Sequence, residues 1–205
     1  MTSINQNKAQ KSTLKRPYCD VCARPQKTCI CHCVTPVSNQ TPIHIIQHPD
    51  ETKQAKGTAK LASLCLSSST LSVLSESKSV ALSEVMHVLF PAPNANELSE
   101  NDREEITAQG GLHILDGTWR QANQLIRLLE SRSIDIVFHT LSTIDYQSRY
   151  RQLRKTKKQG AFSTIEAIYL ALSVLDSADV AEPLIESFNQ FLEFQNQFQP
   201  NREQN

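Results

Sequence analysis

The chain has 205 residues and equal numbers of basic and acidic side chains, 21 of each, so its formal net charge at pH 7 is zero. This length suits one α/β domain with a small appendage, and the balanced charge gives no overall attraction to nucleic acid. No apolar run approaches the roughly 20 residues of a membrane-spanning helix, and no signal-peptide core is present. We therefore expect a cytoplasmic protein without membrane contact.

Residues 1–16 are polar and show no hydrophobic periodicity. Such a composition is typical of a disordered tail. Its basic residues could contact phosphate, and a solvated tail without a role is an equal alternative.

Five of the six cysteines follow within a short segment, in the order Cys19-x2-Cys22-x6-Cys29-x-Cys31-x-Cys33. In a reducing compartment this spacing indicates a metal site rather than disulfides. Four thiolates can surround a tetrahedral Zn²⁺ and leave no coordination position open, which predicts a structural zinc. The expected ligands are Cys19, Cys22, Cys29 and Cys31, within a unit spanning residues 17–35. Cys33 or His32 could replace Cys31, and a redox or iron–sulfur role is the alternative.

The remainder, residues 36–200, alternates short apolar runs with helical patterns. The apolar runs predict buried strands at residues 43–47, 86–90, 112–116 and 135–139. Helical periodicity follows the first run up to residue 65, begins again near residues 118 and 163, and extends from about residue 184 to 198. This alternation predicts an α/β fold with a mostly parallel sheet and helices on both faces. Only five glycines are present and none forms a nucleotide fingerprint, which disfavours a Rossmann dinucleotide site.

The third apolar run ends abruptly in Asp116-Gly117-Thr118-Trp119, where a helix begins. Ligands of open α/β sheets bind outside the carboxyl ends of the strands, so Asp116 and Trp119 are candidate site residues. A structural interpretation is also complete, because Thr118 and Gln121 have the spacing of a capping box and Trp119 falls on the apolar helix face. The motif alone leaves both interpretations open.

Two other polar clusters follow or precede predicted elements. His48 and Glu51 follow the first strand; a histidine there can act as a base, although one that precedes proline is more often a turn residue. Ser163 and Glu166 form a second predicted capping box, which also directs free N–H groups at any carboxylate lying before the helix.

A basic segment lies before this last capping box. Its side chains are either those of a solvated loop or a phosphate-contacting patch for RNA. It contains Arg149, Arg151, Arg154, Lys155, Lys157 and Lys158, with Tyr146 and Tyr150 as candidate base-stacking rings.

Five segments in the same order carry a family resemblance over roughly residues 17–195. They are the cysteine cluster, Gln47-His48-Pro49-x-Glu51, Leu89-Phe90-Pro91, Asp116-Gly117-Thr118-Trp119 and Ser163-Thr164-Ile165-Glu166-Ala167. Together they resemble the DTW-domain family, whose cysteine pattern favours the Cys29-x-Cys31 pair. The resemblance implies a fold similar to the SPOUT methyltransferases, with a trefoil knot as an open alternative.

The family is similar to tRNA-uridine aminocarboxypropyltransferases. The resemblance therefore implies transfer of the 3-amino-3-carboxypropyl group of S-adenosylmethionine to N3 of a tRNA uridine, with release of methylthioadenosine. Asp116 would accept or orient the N3 proton, and Trp119 would hold the transferred arm. The residues implied at the cofactor are Leu115, Gly117, Thr118, Phe162, Ser163, Thr164, Glu166, His48 and Glu51.

Two alternatives use the same features: a SPOUT-like RNA methyltransferase and a non-catalytic zinc-containing RNA-binding module. The oligomeric state stays open, with a monomer slightly favoured.

Overall fold

The structure, a computed structural model, describes residues 17–75, 83–142 and 162–198. Its strands are β1 (Ile43–Gln47), β2 (Ser69–Val73), β3 (Val85–Leu89), β4 (Asn96–Glu97), β5 (Leu112–Asp116) and β6 (Asp135–Thr140). Its α-helices are α1 (Ala59–Cys65), α2 (Arg103–Ala108), α3 (Trp119–Glu130), α4 (Thr164–Leu175) and α5 (Ala178–Asn196). Short 3₁₀ helices cover Gln26–Thr28, Cys31–Cys33, Pro49–Lys53 and Glu100–Asp102. The predicted tail at residues 1–16 lies outside the described residues.

The six strands form one sheet in the order β2-β1-β5-β3-β6-β4, and every pairing is parallel. Strand β5 lies between β1 and β3, with Asp116 opposite Gln47 in the register. Parallel pairing brings the carboxyl ends of all these strands to one edge of the sheet. The predicted parallel sheet is confirmed.

Helices cover both faces of the sheet, as predicted, but unequally. On one face, Ile43, Ile45 and Ile114 belong to the core that also contains buried side chains of α1, α4 and α5. On the other face, Met86 and Val88 pack with buried leucines of α3. Successive side chains of a strand point to opposite faces of the sheet, so alternate residues contact different helix layers.

Strands β2 and β4 are the elements that the sequence did not indicate. Strand β2 reads Ser-Thr-Leu-Ser-Val and lies at the sheet edge, half-buried, so it lacks the continuous apolar run of the inner strands. Strand β4 has only two residues, both exposed. The four predicted strands match β1, β3, β5 and β6 to within one residue.

The segment that joins β6 to α4 includes residues 143–161, which lie outside the described residues, and the trefoil knot stays a prediction. Among the helices in the described ranges, none combines the length and apolarity needed to cross a bilayer.

Candidate active site and metal centre

The carboxylate of Asp116 is a buried polar group at the carboxyl edge of the sheet. It is only 6% exposed. The Gln47 side-chain amide donates to Oδ2 at 2.8 Å, and the Thr164 hydroxyl donates to Oδ1. The backbone N–H of His48 donates to the Asp116 carbonyl oxygen at 2.9 Å. Residues from β1, β5 and α4 therefore fix the position and orientation of one buried carboxylate.

The turn after Asp116 requires a residue without a side chain. A Cβ at Gly117 would lie 2.9 Å from Cβ of Gln121 and 3.5 Å from Cβ of His48. Gln121 approaches so closely because it completes the predicted capping box, in which its Oε1 accepts from the Thr118 N–H at 2.6 Å and its own N–H donates to Thr118 Oγ1 at 3.3 Å. Gly117 thus allows helix α3 to start directly against the end of β1.

Trp119, the first residue of α3, lies at the surface rather than in the core. The residue is 41% exposed. Its ring centroid lies 5.7 Å from that of Phe90, and the two ring planes are inclined at 63°. Phe90 follows β3 and packs against the apolar cluster beneath α3, whereas Asp116 contacts α4. In the described residues, no hydrogen bond or ring contact joins the indole to the carboxylate. The turn therefore directs its two candidate groups towards different layers at the same edge.

The start of α4 supports the same carboxylate from the other side. The N–H and hydroxyl of Ser163 both donate to Glu166 Oε2 at 2.8 Å, which confirms the predicted capping box. Glu166 is fully buried, and the Ile165 N–H donates to the Thr58 hydroxyl at 3.3 Å. The cap holds Thr164 next to Asp116, and Phe162 lies half-buried just before it.

His48 adopts the turn conformation expected of a histidine before proline. Its Nδ1 accepts from the Asp50 N–H at 3.2 Å and lies 3.6 Å from Asp50 Oδ2. The Glu51 N–H donates to the His48 carbonyl at 3.0 Å. Because Nδ1 is an acceptor, the neutral imidazole carries its hydrogen on Nε2 and acts there as a donor.

Gln47 is the site residue to which sequence reasoning gave no role. It belongs to a motif shared with the family, but an amide at a strand end has no evident chemistry by itself. The role of Gln47 can be recognised only once β1 is known to pair in parallel with β5, because that register places Gln47 opposite Asp116 on the same face.

The four cysteines preferred from the sequence come together. All four sulfur atoms of Cys19, Cys22, Cys29 and Cys31 lie within 4.8 Å of one another. Two of these separations are 3.6 Å for Cys19–Cys31 and 3.8 Å for Cys22–Cys29. Sulfurs placed tetrahedrally at about 2.3 Å from a zinc ion are about 3.8 Å apart, so the cluster fits a metal of this kind.

The two spare donors point elsewhere. Cys33 is fully buried, and this burial raises the pKa of its thiol to about 11. The His32 ring packs edge-on against Phe194 with centroids 4.5 Å apart. At Cys19, hydrogen bonds from the backbone N–H groups of Cys22 and Val21 lower the thiol pKa to about 6, whereas burial raises the pKa of the Cys31 thiol to about 12. Without a metal, the surroundings therefore favour the thiolate at Cys19 and not at Cys31.

The cysteine segment is fastened to the rest of the fold by Arg24. Its guanidinium donates to the carbonyl oxygens of Ala55 at 2.7 Å and Gly57 at 3.0 Å, and lies 5.5 Å from the ring centroid of Phe191. Burial lowers the pKa of Arg24. Arg24 thereby ties the cluster to the loop that leads into α1 and to α5.

The predicted RNA-contacting segment cannot be placed in this site. Arg149, Arg151, Arg154, Lys155, Lys157, Lys158 and the rings of Tyr146 and Tyr150 lie outside the described residues.

Comparison with known proteins identifies similar proteins. The chain is 30% identical over 200 residues to tRNA-uridine aminocarboxypropyltransferase 2 of Mus musculus, and 28% identical over 196 residues to its namesake in Macaca fascicularis. Each alignment covers 88% of this chain and 64% of the relative, so the chain spans just under two thirds of the relatives' length. A solved structure of the SAM-dependent rRNA:acp-transferase Tsr3 from Vulcanisaeta distributa superposes with a TM-score of 0.49 at 20% identity, covering 78% of this chain and 81% of that one.

The family comparison covers nearly the whole chain and includes every element that builds the site. Residues 16–196 match the family model of the DTW domain. The protein belongs to the DTW-domain family.

Proposed function

We propose that this protein transfers the 3-amino-3-carboxypropyl group of S-adenosylmethionine to N3 of a uridine in tRNA, releasing methylthioadenosine. The observation that carries the proposal is the buried, doubly hydrogen-bonded carboxylate of Asp116 at the end of the central strand, within the motif that the family shares. The names of the two relatives support it, since both alignments run through 88% of the chain.

Bound S-adenosylmethionine supplies a methylene carbon that is activated by the adjacent sulfonium. The protein must then orient the two substrates and remove the N3 proton. We assign the removal of this proton to Asp116. Its two hydrogen bonds occupy only part of the roughly four acceptor positions of an ionised carboxylate, so capacity for the uridine N3–H remains.

Trp119 would hold the transferred arm. Its half-exposed indole is supported from one side by Phe90, which leaves a flat apolar surface for the carbon chain and for a cation–π contact with the sulfonium. A methyltransferase would instead have to present the methyl carbon to the base. The indole is therefore the group expected to decide which carbon reacts.

The remaining residues that we assign to the donor belong to three segments: the turn after β1, the end of β5 with its turn, and the start of α4. Backbone atoms of the turn after β5 suit the ribose, and the positive end of the α4 dipole suits the methionine carboxylate. Glu166, being fully buried, would act by holding Ser163 in place. The assigned residues are Leu115, Gly117, Thr118, Phe162, Ser163, Thr164, Glu166, His48 and Glu51.

We further propose that the cysteine unit at residues 17–35 holds a structural zinc through Cys19, Cys22, Cys29 and Cys31, beside a catalytic region at residues 36–200. With four protein ligands such an ion has no open position for substrate. The basic segment at residues 149–158 is proposed to bind tRNA phosphates. Reduced thiols and a tRNA substrate both favour the cytoplasm.

The test is incubation of the purified protein with unmodified tRNA and S-adenosylmethionine, followed by mass analysis of nucleosides and of the spent donor. Aminocarboxypropyluridine with methylthioadenosine is the expected result. A methylated nucleoside with S-adenosylhomocysteine would replace this proposal with an RNA methyltransferase, and tRNA binding without either product would leave a binding module.

A further inference from the structure

A cavity of about 430 Å³ lies beside the site, between α3 and the ends of β1 and β2. Its volume falls within the range of small-molecule binding sites, about 300–1,000 Å³. It meets the proposed donor site only at His48. Its other lining residues are Pro49, the two residues after β2, residues of α3, and Ser131, which caps the end of α3.

The cavity combines an apolar floor with donor groups and has no acidic lining among the described residues. Leu74, Leu125 and Leu128 are its apolar lining residues, and Arg127 and Gln124 are exposed lining residues with donor groups. No described carboxylate forms an ion pair with Arg127. An aromatic ring with an attached anionic group matches this lining, because a base can pack on the apolar floor while Arg127 binds phosphate.

The cavity lies next to the proposed reaction centre. His48, on its wall, follows Gln47 directly, and its own N–H is bonded to the Asp116 carbonyl. Arg127 lies eight residues beyond Trp119 on the same helix, about 12 Å along its axis. S-adenosylmethionine carries no phosphate, whereas an RNA strand crossing the edge of the sheet places phosphates on both sides of its target base.

We propose that this cavity binds the base and phosphate of a nucleotide that flanks the target uridine in the RNA substrate. Arg127 contacts the phosphate, and His48 forms the wall between the cavity and the donor site. This inference rests on the proposed function, and it names a substrate subsite that is separate from the donor. Enzymes that act on a single base commonly contact its flanking nucleotides, because the reacting base alone offers little binding area.

The experiment measures binding of unmodified tRNA and of S-adenosylmethionine separately, using the full chain. Replacing Arg127 by Gln should raise the tRNA dissociation constant about tenfold and reduce the salt slope by about one, while donor affinity stays unchanged. Arg127→Lys should recover part of the affinity, since the charge remains but the planar group is lost. Lys27→Gln, which removes one exposed positive charge beside the cysteine cluster, is the matched control and should bind as the parent does.

Parental tRNA affinity in Arg127→Gln would overturn the inference, and so would a loss confined to S-adenosylmethionine, which would assign the cavity to the donor. Because tRNA binding is read directly, the result does not depend on the reaction. A protein that forms no aminocarboxypropyluridine, yet loses tRNA affinity in Arg127→Gln, would retain the subsite and lose only the proposed function.

Discussion

The side-chain amide of Gln47 lies 2.8 Å from Oδ2 of Asp116, which joins two residues that face each other at the ends of β1 and β5. This hydrogen bond restricts the orientation of the carboxylate. The Thr164 hydroxyl bonds the other carboxylate oxygen, so the third contributor comes from a distant part of the chain. A side chain held in this way loses little entropy when a ligand binds to it.

Replacing Asp116 by Asn should abolish the proton acceptor with almost no change in side-chain volume. We expect the single-turnover transfer rate to fall by about 10²–10⁴, the range typical of general acid–base catalysis, while the donor dissociation constant changes little. Rapid-quench mass analysis of the modified nucleoside measures the rate, and calorimetric titration measures the donor affinity.

Gln47→Ala is the matched control, because it keeps the carboxylate but removes one bond that orients it. A rate between those of the parent and Asp116→Asn is expected. If Asp116→Asn and the parent reacted at equal rates, Asp116 would not be the acceptor.

Trp119→Ala should weaken both donor binding and transfer. The residue is 41% exposed, so little core packing is lost. Stability should fall by only about 0.5–1.5 kcal/mol from the lost contact with Phe90. A rise of roughly tenfold in the donor dissociation constant, together with a lower transfer rate, would show the arm-holding role. Trp119→Phe keeps an aromatic face and should retain most of the donor affinity and most of the transfer rate. Unchanged donor affinity in Trp119→Ala would contradict the assignment.

How far the sequence predicted this structure depends on how local each feature is. The capping boxes at Thr118 and Ser163 are set by residues three positions apart, and both were predictable. The inner strands are buried on both faces, so their sequences are nearly continuous apolar runs. Strand β2 lies at the edge of the sheet and lacks such a run. The bond between Thr164 and Asp116 joins positions 48 residues apart, so it follows from the layer order and not from any local pattern.

The same distinction explains why the separation of Trp119 from Asp116 was not anticipated. Their spacing suggests two groups on one turn that converge. Because side chains alternate between the two faces along β5, the Asp116 carboxylate lies towards α4. Trp119, at the start of α3, instead contacts Phe90.

Removal of one of the four clustered cysteines should release the proposed zinc and destabilise the region around it. Cys22 is 2% exposed and its sulfur lies 3.8 Å from that of Cys29, so Cys22→Ser should lose the bound ion and lower the melting temperature. Native mass spectrometry measures the stoichiometry. Cys33→Ala alters a buried thiol outside the four-sulfur cluster and should keep one metal per chain. Metal loss in Cys33→Ala but not in Cys22→Ser would reverse the ligand assignment.

Neutralising Arg149, Arg151 and Arg154 together should raise the tRNA dissociation constant and flatten its dependence on salt. Each phosphate contact that is lost reduces the slope of log affinity against log salt by about one. Filter binding across a salt series gives the slope. A slope equal to that of the parent would identify the segment as an ordinary solvated loop.

Acid should destabilise the fold through His113, which is 6% exposed and stacked on His44 with ring centroids 4.9 Å apart. Burial, and then the charge of His44, lowers the pKa of His113 to about 4 from an ordinary value of 6.5. The folded state therefore favours the neutral ring, and its stabilising contribution is complete above the unfolded pKa and disappears as the pH falls through the folded one. A gap of this size corresponds to about 3 kcal/mol, since one pKa unit is about 1.4 kcal/mol.

Urea unfolding of the parent should show the free energy of unfolding decreasing from about pH 7 to about pH 4 as the unfolded chain takes up the proton first. His113→Asn keeps a donor for the His87 carbonyl, which His113 Nδ1 contacts at 3.1 Å, but it cannot titrate. Its stability should therefore decline less steeply over the same interval. Some decline should remain, because burial also lowers the pKa of His139. Parallel curves for the parent and His113→Asn would show that His113 contributes nothing to acid sensitivity.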